Sequence, residues 1–289
     1  MRYCAQICLT FLLFFSLQAS FAAEKMKNGM IQSINLGTSW AASGKDEGIG
    51  LAEFRFGVSF GLPGPKFDWL GKSFFMISPN FSYTNVDWKG MGEFPDSLYS
   101  ASVGITWMKP INEHWNIILN AGPGYAGDGN ETHDSFRIPV MFAANWNPNK
   151  RWKVMLGAIY TDRRDLPFLP FGGFVYTPND DWRFEFTAPT PRIARRFTAW
   201  SDKECERWIY CGGGFGGGNW AIESVNHEPD LAMYREFALL SGYEVMRENG
   251  FRWNFEIAYL FSRKMEFEHG TQPDYKPDNT LGLRLNVSF

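Results

Sequence analysis

The 289-residue chain has only four cysteines and four histidines, and beyond its first two dozen residues it has no long uninterrupted apolar run. The missing runs exclude a bundle of membrane-spanning helices, each of which needs ~20 successive apolar residues. So few cysteines exclude a disulfide-built scaffold. Cys4 and Cys8 fall in the leader described below, which leaves Cys205 and Cys211. One extended strand would hold that pair ~20 Å apart, so free thiols are expected. Charge of either sign is not in excess: 28 Lys and Arg face 31 Asp and Glu, for a net charge of −3. That balance offers no basic face for nucleic acid. His114, His133, His227 and His269 sit in polar connections, without metal-ligand spacing or a pattern that fixes a nucleophile against a base. No metal, no cofactor and no enzymatic step is expected.

What the chain does have is rings. It carries 27 Phe, 12 Trp and 11 Tyr, 17% of all residues, yet its mean hydropathy is −0.27. So many aromatics exclude a disordered chain. The hydrophilic average then requires that polar residues alternate with them at short range.

The first segment reads as an address. Met1-Arg2 gives a positive start, Ile7 to Leu17 an apolar core, and Ser20-Phe21-Ala22 a small-residue cleavage site. Residues 1–22 are expected to be a secretory signal peptide, and residues 23–289 a single exported domain.

Period two runs through that domain. Phe251, Trp253, Phe255, Ile257, Tyr259 and Phe261 share one face, against Arg252, Asn254, Glu256, Ala258 and Leu260. Leu281, Leu283, Leu285, Val287 and Phe289 repeat the pattern, as do Phe54 to Phe60 and Trp152 to Tyr160. Such alternation means strand. Many of these segments run longer than the five or six residues usual in soluble sheets and suit the ~9 to 11 of a tilted transmembrane strand.

The turns point the same way. Trp107 leads through Lys109-Pro110-Ile111-Asn112 to Trp115, Trp146 through Asn147-Pro148-Asn149 to Trp152, and Tyr176 through Pro178-Asn179-Asp180 to Trp182. Tyr243 leads through Glu248-Asn249-Gly250 to Trp253, and Trp200 with Trp208 flanks one more turn. Pro, Asn and Gly suit the turns, and rings recurring beside them suit one interfacial girdle of a transmembrane barrel. Upward strands then begin near Asn28, Ser73, His114, Trp152, Trp182, Trp208 and Arg252. The fold expected is all-β: a single antiparallel up-and-down transmembrane β-barrel of 14 strands. The count falls to 12 if Ala188-Pro189-Thr190-Pro191 is a bulge rather than a turn.

Opposite the aromatic faces lie Arg55, Arg137, Lys153, Arg183, Glu185, Glu236, Arg252, Glu256 and Arg284, the residues expected to line the lumen. Both signs occur there. The connections at the other end are short, so no long lid or constricting loop is expected, and Gly212 to Gly218 reads as a kinked strand.

Several stretches resemble a known family: Pro170 to Arg183, Ala188 to Ala194, Gly213 to Glu223 and Glu256 to Glu266. They are similar to a family of bacterial outer-membrane β-barrels catalogued only as a domain of unknown function, chiefly over Phe168 to Phe289. The resemblance implies a barrel in the bacterial outer membrane, in contact with its lipid, and implies no functional residues. Phe289 resembles the aromatic C-terminal signal read by the barrel-assembly machinery. The function expected is passage or binding of a small solute. A non-conducting structural barrel and a soluble secreted β-sheet binding protein are the alternatives.

Overall fold

Alternation of large apolar residues with small or polar ones sends successive side chains to opposite faces of a strand. In the computed structural model, such segments pair edge to edge along the chain. The structure describes residues 30–44, 48–62, 73–89, 93–131, 134–162, 167–197, 204–224, 227–270 and 272–289. The leader, Trp200 and His133 lie outside them.

Sixteen strand segments share one sheet. The first eight are β1 (Ile31–Ala41), β2 (Ile49–Leu62), β3 (Phe74–Trp88), β4 (Ser97–Pro110), β5 (Trp115–Ala121), β6 (Gly124–Gly127), β7 (Phe136–Arg137) and β8 (Val140–Asn149). Then follow β9 (Trp152–Tyr160), β10 (Phe168–Asn179), β11 (Trp182–Thr187), β12 (Arg192–Arg196), β13 (Cys205–Glu223), β14 (Pro229–Arg247), β15 (Arg252–Phe267) and β16 (Thr280–Ser288). Both β5 and β6 pair with β4, and they are one strand interrupted at Gly122-Pro123. Likewise β7 and β8 are one strand interrupted at Ile138-Pro139. The result is a closed antiparallel barrel of 14 strands in up-and-down order, sealed where β1 pairs with β16 from Asn35↔Ser288 to Ala41↔Gly282. No helix occurs among the described residues.

The count of 14 rather than 12 is settled at Ala188 to Pro191, a turn between β11 and β12. Asn112, Asn149 and Asn179 each shape a turn at the opposite end. Their side-chain oxygens accept backbone N–H bonds from the residues two and three positions on, at 2.9 to 3.1 Å. This is the Asx turn that short polar side chains make well. Cys205 and Cys211 are free thiols.

Outward faces are apolar. Leu156 is 62% exposed and Leu281 59%, whereas the inward Met155 and Ala258 are 2% and 0%. Inside the barrel, three apolar clusters fill much of the lumen. One contains Met108, Ile118, Met141, Met155 and Phe171 with Phe215 against it, and another Trp208, Tyr210, Leu240 and Leu260.

The third cluster depends on a departure from simple up-and-down geometry. β13 and β14 stay paired over their full 19 residues, from Cys205↔Arg247 to Glu223↔Pro229. Their neighbour β12 covers β13 only up to Gly212. From Gly214 to Trp220 no strand flanks that edge among the described residues, and then Ala221 pairs in parallel with Gly127 of β6. The far half of the hairpin therefore bends across the barrel mouth. Trp220, Ile222 and Tyr234 become buried against Ile49, Val86 and Leu98 of the facing wall. The bend needs glycine at Gly217, where φ is +139° and a Cβ would run into the Tyr234 carbonyl oxygen.

The expected kink at Gly212 to Gly218 is thus present. What constricts the lumen is a pair of strands rather than a loop, which the short connections do not announce.

Candidate functional site

Inward residues of β2, β3, β4, β6 and β7 stand in rows fixed by strand register. Arg55, Ser82, Ser100 and Ala126 form one row, and Gly57, Asn80, Ser102, Gly124 and Arg137 the next. Small side chains here leave a cavity of about 200 Å³, lined also by Ser59, Ser78, Thr106, Tyr125 and Trp220. The bent hairpin supplies its far wall. Ser59 and Ser78 share a hydrogen bond of 3.0 Å, and Asn120 donates to the Thr106 hydroxyl at 2.7 Å. Asn80 donates through Nδ2 to the Ser78 carbonyl at 2.8 Å, while its buried Oδ1 accepts no hydrogen bond among the described residues. Among the described residues no Asp or Glu lines this cavity, although Arg55 Nε lies 3.6 Å from Glu53 Oε2 behind it.

A second cavity of about 120 Å³ lies on the other side of the hairpin, with Arg55, Gly217 and Trp220 lining both. Its polar wall holds Glu53, Glu236, Glu256 and Arg284. Glu236 Oε1 lies 3.4 Å from Arg284 Nη2, and its Oε2 accepts from the Tyr234 hydroxyl at 2.7 Å.

Nearer the Asn-rich turns, charged side chains from four strands interlock. Glu244 of β14, only 2% exposed, meets Arg183 Nη2 of β11 at 2.6 Å, and its other oxygen lies 3.7 Å from Arg192 of β12 and 3.9 Å from Arg252 of β15. Glu185 bridges Arg183 and Arg192 at 2.5 Å each. The guanidinium of Arg183 covers Trp208, that of Arg192 covers Tyr210, and Tyr210 donates to Glu256 at 2.7 Å. A carboxylate this buried is tolerable only when cations and donors surround it.

The residues expected to line the lumen divide accordingly. Arg55 and Arg137 line the serine-rich cavity, while Glu236, Glu256 and Arg284 line the smaller one. Arg183, Glu185 and Arg252 belong to the ion cluster. Lys153 stands on the inward parity of β9, cross-strand from Val175, and joins neither cavity.

Among the expected girdle residues, Trp115 stacks on Trp146 and Trp152 on Tyr176. Trp182 stacks with Phe184, Trp253 meets Tyr243 edge-on, and Trp107 stands cross-strand from Leu119. Trp208 is the exception: it is 5% exposed and points inward beneath Arg183, so it does not belong to the girdle. It shares parity with Tyr210, while Ile209 and Cys211 face out. Phe289 packs on Phe251 with ring centroids 5.0 Å apart.

Sequence reasoning missed Glu244, Arg192 and Arg263. The first two follow the inward parity of their strands and were findable. Arg263, with a fully buried side chain, donates to the Tyr234 hydroxyl at 2.7 Å and to the Ile49 carbonyl. It turns inward only because alternation slips at Ser262, where φ is +52°, and no periodic signal marks it.

A family model described as "Domain of unknown function (DUF6268)" matches residues 57–272. The match reaches well into the first half of the barrel. No curated protein matches the chain. Among solved structures, it is similar to "KdgM porin" at 9% identity and TM-score 0.37, covering 89% of this chain and 98% of that one. It is similar to "Bacterial polysaccharide outer membrane secretin" at 12% and 0.44, covering 89% and 97%. For "LpxR from Salmonella typhimurium" the values are 10% and 0.39, covering 89% and 99%. The barrel itself rests on this chain's own strand pairing.

Proposed function

The chain belongs to the DUF6268 family, a domain of unknown function, and from that premise and the lumen's geometry we propose a barrel of the bacterial outer membrane that holds a small solute in a closed interior. The observation that carries this reading is the β13–β14 hairpin, bent across the mouth and seated on Ile49, Val86 and Leu98. A mouth so covered favours binding over free diffusion. Outward alternation of aliphatic and aromatic residues, with Trp beside the turns, supports immersion in lipid over a soluble secreted sheet protein. Phe289 beside the β16 end supports delivery by the barrel-assembly machinery, after export on the leader at residues 1–22. No enzymatic step is part of the proposal.

The test is electrical. Full-length barrel, processed by its host and reconstituted in planar bilayers, is expected to show no steady conductance. A stable ohmic pore would overturn the closed-lumen reading. Heat-modifiable migration of outer-membrane fractions tests location, and extraction without detergent would refute it. The ion pairs joining β11, β12 and β15 to β14 favour a second reading, a purely structural barrel, which predicts equal solute permeability with and without the protein and no ligand binding.

A further inference from the structure

The run Gly212 to Gly218 carries one side chain, Phe215, and the barrel wall beside it is short. β11 spans six residues and β12 five, below the ~9 to 11 that cross a hydrocarbon core. Their uppermost pairings are Thr187↔Gly173 with β10 and Arg192↔Gly212 with β13. Beyond these, β10 continues to Phe168, and among the described residues no strand stands between it and β13. At the level of the Ala188 to Pro191 turn the two are three strand steps apart, ~14 Å between backbones.

This gap opens at hydrocarbon depth. Phe171 lies five residues along β10 from Tyr176, whose ring stacks on Trp152 at the turn end. Five residues of a strand tilted by ~40° rise ~13 Å, about halfway up an apolar band ~25 Å tall. Exposed rings of Phe168, Phe186 and Phe237 border the gap. Phe215 stands at its base. Its ring centroid is 6.5 Å from that of the lipid-facing Phe237, and it also packs against the lumen cluster that contains Phe171 and Ile159.

Ile159 also lines the larger cavity, which lies level with the gap: Ser102 is five residues from Trp107 on β4, as Phe171 is from Tyr176 on β10. Most of the cavity's surface is carbon, with Ala126, Pro139, Ile159 and Trp220 contributing. Several of its polar groups are bonded within the wall, Ser78 to Ser59 and Asn120 to Thr106. Asn80 Oδ1 is a buried acceptor with no donor among the described residues, and an incoming O–H removes the cost of leaving it unpaired. Polarity thus falls from the cavity through the gap to the lipid.

We propose that the gap beside Phe215 admits a single-chain amphiphile from the bilayer. Its small O–H head lies in the cavity on Asn80, and its alkyl chain leads out past Phe171 and Phe215 into lipid. This assignment rests on the closed-lumen reading above and adds to it a ligand class and a sideways entrance. A protein cavity of about 150 Å³ holds a molecule the size of benzene, so one of about 200 Å³ takes the head and about the first half-dozen carbons of one chain. The head group of a two-chain phospholipid is too large for it.

Photolabelling of the wild-type barrel in lipid nanodiscs tests the pose. The probes are dodecanol with a diazirine near its hydroxyl, dodecanol with a diazirine at its chain end, and phosphatidylcholine with one at a chain end. Mass spectrometry is expected to find the first probe on Asn80, Ile159 or Trp220 at least tenfold more than the phosphatidylcholine, with unlabelled dodecanol competing. The second is expected on Phe186 and Phe237. Stronger interior labelling by the second probe than by the first would overturn the orientation. Equal interior labelling by phosphatidylcholine would overturn the single-chain class, and no interior labelling by any probe would overturn the entrance. F215W, verified as folded by heat-modifiable migration, is expected to cut interior labelling at least fivefold and F215A to raise it; wild-type labelling in both would overturn the role of Phe215. The wild-type comparison needs no variant to fold, and the closed-lumen reading fails separately, by conductance.

Discussion

Loss of the Asp128 carboxylate should loosen the barrel's mouth. Asp128 follows β6 and is buried; its Oδ2 accepts the backbone N–H of Glu223 at 2.9 Å, at the hairpin tip. Its Oδ1 holds its own loop by accepting from the N–H groups of Asn130 and Glu131 at 2.9 and 3.0 Å. In D128A the tip keeps one backbone bond, from Asp128 N to the Ala221 carbonyl at 3.0 Å, and its apolar seat. A hydrogen bond to a charged group contributes about 1.5–3 kcal/mol. Lost from the closed state alone, that shifts the open-to-closed ratio by about 10- to 150-fold. Open probability in planar bilayers reads the change directly, with D128N, which keeps one carbonyl acceptor, expected in between. A D128A barrel that migrates as folded and opens no more often than wild type would refute the idea that this contact holds the mouth shut.

Three further expectations concern stability and orientation. E244Q leaves Arg183 and Arg192 beside a neutral group in a buried cluster, and urea unfolding should show a loss of about 3–5 kcal/mol; a loss under 1 kcal/mol would mean water screens the cluster. Gly217→Val forces a branched residue into a left-handed conformation, against the Tyr234 carbonyl, and should cost about 1–3 kcal/mol in the same assay. Single-Trp variants in brominated lipid should show quenching at Trp115 and Trp152 and none at Trp208, whose ring lies under Arg183; quenching of Trp208 would return it to the girdle.

How far the fold was legible follows from which forces are local. Strand parity is local, because the outward face of the barrel is apolar and the alternation along each strand records it. Phe255, Ile257 and Tyr259 therefore declare their face without reference to the rest of the chain. Turn chemistry at Asn112, Asn149 and Asn179 is equally local, and it marks those hairpin ends, whereas the strand count depends on Ala188 to Pro191. Parity became ambiguous where the interior is apolar too. Trp208 and Tyr210 on one face and Ile209 on the other give no contrast, so in sequence alone Trp208 reads as a girdle residue. What separates them is the guanidinium of Arg183 above Trp208, a contact between residues 25 positions apart.

The mouth was the least legible region. Glycines at Gly212 to Gly218 announce that a strand can bend, but not where its far end lands. The landing point, Ala221 on Gly127, joins distant parts of the chain through a single parallel pairing. The hydrophobic seat beneath it draws on Ile49, Val86 and Leu98, each of which reads in its own strand as an ordinary inward residue near a rim. Such an arrangement is stabilised by the sum of contacts from several strands, none of which favours it alone. The serine-rich cavity is hidden in the sequence for the same reason. Ser82 and Ser100 are unremarkable until register sets them side by side, with Arg55 at one end. Sequence alternation can thus say which residues face inward. Which of them become a site depends on how far the long hairpin reaches, and so the glycine run governs both the closing of the mouth and the far wall of the cavity.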